Sequence, residues 1–254
     1  HASTRPAVFE GEATNRAIQL ARVAGAPLYI VHLSASEALE QVVAARDRGQ
    51  NVFAETCPQY LFLSEDDLAR EGFEGAKFVC SPPLRAAHHH ADLWRGLRTD
   101  DLSVVSTDHC PFCFKEQKEM GVGDFSKIPN GMPGVEHRFD LIFQGVDQGR
   151  LSLARWVEVC STTPARLFGL FPQKGVLAPG SDADVVLYDP RATQIISAAT
   201  HHMNVDYSAY EGMTLKGQAV CVLSRGEVIV ENHQYVGTPG RGQFLRRGLN
   251  AYLR

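Results

Sequence analysis

The sequence predicts an α/β fold, a parallel sheet or barrel covered by helices, followed by a small all-β segment. In the first part of the chain, helical patterns alternate with short apolar runs, which is the order of parallel strands joined by helices. From Gly175 onward, short β-type runs are set off by Gly and Pro. We place the boundary near 170–175 and predict an α/β part over 1–172, a β segment over 173–236 and a tail over 237–254.

Two helix–strand pairs open the chain. Residues 10–24 carry apolar side chains at helical spacing, and the continuous apolar run over 27–33 is typical of a strand covered on both faces. That run contains His32 near its end. A second helix, which Gly49 ends, leads to a second strand over 51–56.

The third predicted strand, 102–105, is short, apolar and β-branched, and it follows a helical pattern over 92–97. It leads directly to Asp108 before Pro111 ends the run. An acid where a buried strand meets its exit loop is typical of α/β active sites, where it can bind a metal ion and transfer a proton. The alternative is that Asp108 only caps the next turn.

The rest of the chain contains a long irregular segment, then helices, then strands. Residues 113–134 hold several Gly and Pro, and a loop of that length after an active-site strand is usually functional or mobile. We predict helices over 135–148, 152–160 and 163–168, and strands over 184–188, 219–224 and 228–231.

Composition excludes some classes of partner. The 254 residues are 44% hydrophobic and 21% charged, with a net charge of −4, which gives no reason to expect nucleic acid or an anionic membrane as a partner. No signal peptide or membrane-spanning run is predicted. Six scattered cysteines indicate reduced thiols in a cytoplasmic protein. The His88-His89-His90 run is predicted to be solvated.

His32 and Asp108 are the candidate metal ligands. The carboxyl ends of parallel strands lie at one face, so we expect both side chains to open onto a common pocket from neighbouring strands. An imidazole and a carboxylate suit Zn²⁺ or Mn²⁺, but a catalytic zinc usually has at least three protein ligands. Ser81 and Asn130, in loops at the same face, could hold a small polar ligand or serve as turn formers.

Seven motifs resemble those of dihydropyrimidinases, also called hydantoinases, of the amidohydrolase superfamily, in family order across nearly the whole chain. They are Tyr29–Ser34 (YIVHLS), Glu55–Leu61 (ETCPQYL), Cys80–Arg85 (CSPPLR), Ser106–Phe112 (STDHCPF), Pro129–Glu136 (PNGMPGVE), Gly180–Asp184 (GSDAD) and His201–Tyr207 (HHMNVDY). The resemblance implies the C-terminal part of a (β/α)₈ TIM-type barrel holding two bridged metal ions, with zinc expected, followed by part of a β-sandwich.

The resemblance also implies an activity and the roles of individual residues in it. It implies hydrolysis of the cyclic amide of dihydropyrimidines or 5-substituted hydantoins to N-carbamoyl amino acids. His32 then corresponds to a histidine on the second metal, and Asp108 to the aspartate that binds the first metal and shuttles a proton. Ser81 and Asn130 correspond to residues that hold the ring amide. The family tetramer implies a homo-oligomer.

One departure from the family pattern is large. The family's H-x-H pair, its carboxylated lysine, a further histidine and an oxyanion-stabilising tyrosine would all precede His1. We therefore expect a fragment with negligible hydrolysis and an exposed apolar edge. The alternatives are an allantoinase or dihydroorotase, and a non-catalytic scaffold protein, against which the presence of both His32 and Asp108 argues.

Overall fold

The computed structural model describes residues 1–253 and contains two separate sheets. The first sheet is parallel, in the order β1 (Leu28–Ile30), β2 (Val52–Thr56) and β3 (Val104–Val105). The eight α-helices of the described chain are α1 (Ala7–Ala24), α2 (Ser36–Asp47), α3 (Gln59–Phe62), α4 (Glu65–Leu68), α5 (His89–Thr99), α6 (Arg138–Asp147), α7 (Leu153–Val157) and α8 (Thr163–Leu167).

Alternation along β2 separates the two faces of the parallel sheet. Val52, Ala54 and Thr56 are buried, whereas Phe53 and Glu55, which point to the opposite face, are partly exposed. The buried residues Val52 and Ala54 belong to the main apolar core, together with side chains of α2 and α5. The face that carries Phe53 and Glu55 is therefore the one on which the Glu55 carboxylate is accessible.

The second sheet is antiparallel and follows the chain order. It consists of β4 (Val185–Ile195), β5 (Thr214–Ser224), β6 (Glu227–Glu231) and β7 (Gln234–Tyr235). Helix α6 packs against β5, where the Gln144 side chain donates to the Lys216 carbonyl at 2.8 Å and accepts from its N–H at 3.0 Å. This pairing fixes the second sheet against the helical layer.

The predicted fold class is confirmed, but several elements differ from the prediction. The first strand ends at Ile30, because the backbone at His32 turns away from the extended conformation. The 113–134 segment contains two short 3₁₀ turns, Lys118–Gly121 and Phe125–Lys127.

The histidine run is only partly solvated. His89 is buried and its Nδ1 accepts from the Ser36 N–H at 3.1 Å, so the expectation of a solvated run is wrong for this residue. His88 is exposed. Within residues 1–253, no helix has both the length and the apolar character that crossing a bilayer requires.

Candidate active site

The carboxyl edge of the parallel sheet carries both predicted metal ligands. His32 follows β1 and Asp108 follows β3, so both emerge at the same edge. The sequence analysis expected the two strands to be neighbours, and this is wrong, because β2 pairs with both of them and lies between them. Strands two positions apart are separated by about 10 Å. His32 and Asp108 therefore leave the sheet on either side of β2.

Both residues leave their strands through an unusual backbone conformation. The φ angle is 41° at His32 and 46° at Asp108. Residues with a Cβ rarely adopt positive φ, because the Cβ crowds the following carbonyl. Such strained positions cluster at functional sites, and His32 and Asp108 are two of the seven non-glycine residues of the described chain that have positive φ.

The side chains of His32 and Asp108 fit metal binding because neither is engaged elsewhere. Within the described residues, His32 makes no side-chain hydrogen bond, and its Nδ1 is buried without a partner. Asp108 is exposed, and no hydrogen bond to its carboxylate is found in the described chain. A buried ring nitrogen without a partner is costly unless a ligand or ion satisfies it. The pair thus offers one nitrogen and one carboxylate group to an ion.

Glu55 at the end of β2 is a site residue that sequence reasoning missed. Its carboxylate accepts hydrogen bonds from the Tyr29 hydroxyl and the Ser106 hydroxyl, both at 2.6 Å. The backbone N–H of His32 also points to it, at 3.5 Å. Burial, reinforced by this carboxylate, holds the pKa of Tyr29 far above its ordinary range. The sequence did contain a signal for Glu55, because this acid lies at the end of a predicted strand, just as Asp108 follows one.

Ser81 and Asn130 are brought together, as their shared assignment to the ring amide requires. The Ser81 hydroxyl donates to Asn130 Oδ1 at 3.0 Å, and both side chains are exposed. Asn130 Nδ2 donates to the Ile128 carbonyl at 3.3 Å. The remaining lone pairs and the backbone groups of these two loops are available to a small polar ligand.

Lys118 holds these two loops in place. Its Nζ is buried and donates to the carbonyls of Val79 at 3.0 Å, Pro129 at 2.6 Å and Gly131 at 2.8 Å. These carbonyls flank Ser81 on one side and Asn130 on the other. Burial lowers the pKa of Lys118 to about 8. No sequence signal distinguishes this lysine within an irregular Gly-containing segment.

The Asp108 loop is joined to the Asn130 loop by backbone contacts. The Cys110 N–H donates to the Met132 carbonyl at 3.3 Å, and the Gly134 N–H donates to His109 Nδ1 at 3.1 Å. The loop that follows Asp108 is therefore tied to the loop that carries Asn130. The arrangement can place a carboxylate beside a ligand that Ser81 and Asn130 hold.

A family model described as "Amidohydrolase family" matches residues 13–229. The chain belongs to the amidohydrolase family. It is 62% identical over 253 residues to a D-hydantoinase of Streptomyces coelicolor, covering 100% of this chain and 54% of that protein. It is 52% identical to a D-hydantoinase of Geobacillus stearothermophilus, covering 97% of this chain and 53% of the relative. The chain thus spans about half the length of the curated relatives it matches.

Solved amidohydrolase structures have the same fold as this chain. A dihydropyrimidinase from Brevibacillus agri matches with a TM-score of 0.96 and 51% identity, covering 97% of this chain and 54% of that one. An L-hydantoinase from Arthrobacter aurescens matches with a TM-score of 0.89 and 36% identity, covering 95% and 53%. The resemblance to dihydropyrimidinases and hydantoinases is confirmed, and the three parallel strands are part of the family's (β/α) barrel.

Proposed function

We propose that this chain forms part of a hydrolase that opens the cyclic amide of dihydropyrimidines or 5-substituted hydantoins to N-carbamoyl amino acids. The observation that carries the proposal is the placement of His32 and Asp108 at one edge of an amidohydrolase sheet, where neither side chain has a hydrogen-bond partner among residues 1–253. The similarity to D-hydantoinases indicates the class of substrate, a small cyclic ureide or imide.

The proposed metal centre is shared between this chain and residues outside it. His32 and Asp108 would be two of its ligands, and a carboxylated lysine with further histidines would come from sequence that the 254 residues do not contain. When bound, two divalent ions, zinc by preference, would supply Lewis acidity toward the ring carbonyl and the attacking water. The imidazole and carboxylate donors described above suit zinc.

The chain's own residues would move the proton and orient the ring. Asp108 would accept a proton from the attacking water at a carboxylate oxygen and deliver it to the leaving amide nitrogen, acting first as base and then as acid. Ser81 and Asn130 would bind the planar amide edge, a geometry that favours a cyclic imide over an open-chain amide. Lys118 would keep these two residues in register through its three carbonyl contacts.

The wider organisation is part of the same proposal. We assign residues 1–172 to the barrel, 173–236 to a β-sandwich segment and 237–254 to a tail. A cytoplasmic location agrees with the six free cysteines of the described chain. A homo-oligomer, the tetramer of the family, is the expected assembly.

Turnover by a polypeptide of the relatives' full length that contains this chain tests the proposal. Dihydrouracil and 5-phenylhydantoin should be hydrolysed, and allantoin and dihydroorotate should not. Asp108→Asn should lower kcat by about 10²- to 10⁴-fold, whereas Asp47→Asn, at an exposed position of α2, should leave it unchanged. Preferred turnover of allantoin or dihydroorotate would replace the proposal by another cyclic amidase. Metal-free, inactive protein would favour a scaffold.

A further inference from the structure

A group of three side chains of the types that bind metal ions lies outside the candidate active site. Glu136 and His137 immediately precede α6, and His201 lies in the segment between β4 and β5. Each offers one ligand atom, and these three atoms all lie within 4.8 Å of one another. Among the described residues, this is the group of three that could hold an ion, and it includes neither His32 nor Asp108.

The hydrogen bonding of His201 leaves one ring nitrogen ready for a cation. Its Nε2 lies 3.0 Å from the Val205 carbonyl, which can only accept, so Nε2 carries the proton. Its Nδ1 therefore presents a lone pair, and that atom is buried without a partner in the described chain. A ring N–H bound to a backbone carbonyl is the usual way in which proteins fix the tautomer of a metal-binding histidine.

His137 presents a second nitrogen without a partner. Its side chain is buried, at 7% exposure, and its Nε2 makes no hydrogen bond within the described residues. Two buried imidazole nitrogens without partners, next to a carboxylate, are costly unless an ion satisfies them together.

Glu136 completes the group, and His202 orients it. Glu136 Oε1 accepts from His202 Nδ1 at 2.9 Å, and Oε2 accepts from the His202 N–H at 2.6 Å. Each carboxylate oxygen keeps a lone pair beyond these bonds. Such outer hydrogen bonds aim a carboxylate at an ion and are a common part of metal sites.

We propose that Glu136, His137 and His201 form a binding site for a divalent transition-metal ion of the zinc type. Two imidazoles and one carboxylate suit such an ion, and tetrahedral geometry needs ligand atoms about 3.4 Å apart, a small closure from the present spacing. Glu136 and His137 also line a cavity of about 710 Å³, so an open coordination position would face it. The candidate active-site residues His32, Ser81, Asp108 and Asn130 do not line that cavity.

The position of this site indicates what the ion does. Two ligands belong to the start of α6, and the third belongs to the segment that joins β4 to β5. A bound ion would therefore clamp the antiparallel sheet to the helical layer, adding to the contact between Gln144 and Lys216. Because the ion binds only the folded arrangement, it should raise the melting temperature.

Zinc binding to the 254-residue chain tests the proposal. All proteins carry His32→Asn and Asp108→Asn, which remove the active-site ligands and place a residue tolerant of positive φ at both positions. Isothermal titration of the metal-free protein with Zn²⁺ should show one bound ion. Adding His137→Gln, His201→Gln or Glu136→Gln should weaken binding more than tenfold, and Zn²⁺ should no longer raise Tm.

His88→Gln is the matched control, because it removes an exposed histidine far from the group in sequence and should change neither quantity. Circular dichroism without metal separates loss of folding from loss of ligands, and each of the three ligand variants is an independent test. Replacing Zn²⁺ by Co²⁺ should give the visible spectrum of a low-coordinate nitrogen and oxygen site. Absence of binding, or equal binding by the parent protein and the ligand variants, would overturn the proposal.

Discussion

The Ser106 hydroxyl donates to the Glu55 carboxylate at 2.6 Å, which joins the exit of β3 to the end of β2. The same carboxylate accepts from Tyr29 on β1, also at 2.6 Å. One acid therefore links all three parallel strands at the edge where His32 and Asp108 emerge. Because hydrogen bonds to a charged acceptor are stronger than neutral ones, this link restrains the spacing of the two candidate ligands.

Replacing that acid should loosen the edge of the sheet. Glu55→Gln exchanges one acceptor oxygen for a donor, so the hydroxyl of Tyr29 or Ser106 loses its partner. We expect the free energy of unfolding to fall by about 1–3 kcal/mol, measured by urea denaturation. Glu40→Gln, at an exposed position of α2, is the control and should be neutral. Equal free energies of unfolding for the two variants would show that the hydrogen bonds of Glu55 do not stabilise the fold.

The buried ion pair between Arg85 and Glu10 supports the loop after His32. The two side chains are 2.8 Å apart at 8% and 13% exposure, and Arg85 Nε also donates to Ser34 Oγ at 3.0 Å. Arg85→Met should cost about 3–5 kcal/mol, because Glu10 loses its charged partner and keeps only the hydrogen bonds from Ser34. The double variant with Glu10→Leu should lose less than the sum of the single variants. An additive result in the double-mutant cycle would contradict this.

The buried amine of Lys118 should make stability depend on pH in the alkaline range. Its pKa is lowered to about 8 in the folded chain from about 10.5 when unfolded. Between these values the unfolded chain binds more protons, so this residue's contribution to stability rises with pH. Below about pH 8 both states are protonated, and the contribution is at its lowest.

Comparison with Lys118→Met isolates this effect from the titration of cysteines and tyrosines. The difference in unfolding free energy, wild type minus variant, should increase between about pH 7.5 and about pH 9.5. Urea denaturation at both pH values measures it. A difference that stays constant or shrinks would show that the pKa of Lys118 is not lowered. The variant should also disturb Ser81 and Asn130, since three carbonyls lose their donor.

Gly131 should not tolerate a side chain. A Cβ at this position would lie 2.3 Å from the Cys110 carbonyl oxygen, and its φ is 152°. Gly131→Ala must therefore displace the Asn130 loop or the loop after Asp108, at a cost of about 1–3 kcal/mol. Gly123→Ala is the control, because Gly123 also has positive φ but has open space around it. A matching loss of stability in both variants would mean that φ strain alone accounts for the cost.

The sequence predicted the strands, which depend on local residue patterns. It did not predict the contacts between segments that are distant in the chain. The strands that carry His32 and Asp108 were predictable because buried parallel strands are apolar and short. The three carbonyls that Lys118 satisfies come from segments 39, 11 and 13 residues away, which no local pattern encodes. Likewise, the pairing of Ser81 with Asn130 spans 49 residues, and only the family resemblance suggested a shared role.

The left-handed backbone at His32 and Asp108 lowers the stability of the fold wherever a residue other than glycine occupies these positions. Glycine adopts those angles freely, so His32→Gly and Asp108→Gly would relieve about 1–2 kcal/mol of steric cost at each position while removing both proposed ligands. An inactive protein could then outlast the working one in a thermal challenge. Under the proposed function, the two side chains are therefore kept at a cost in stability.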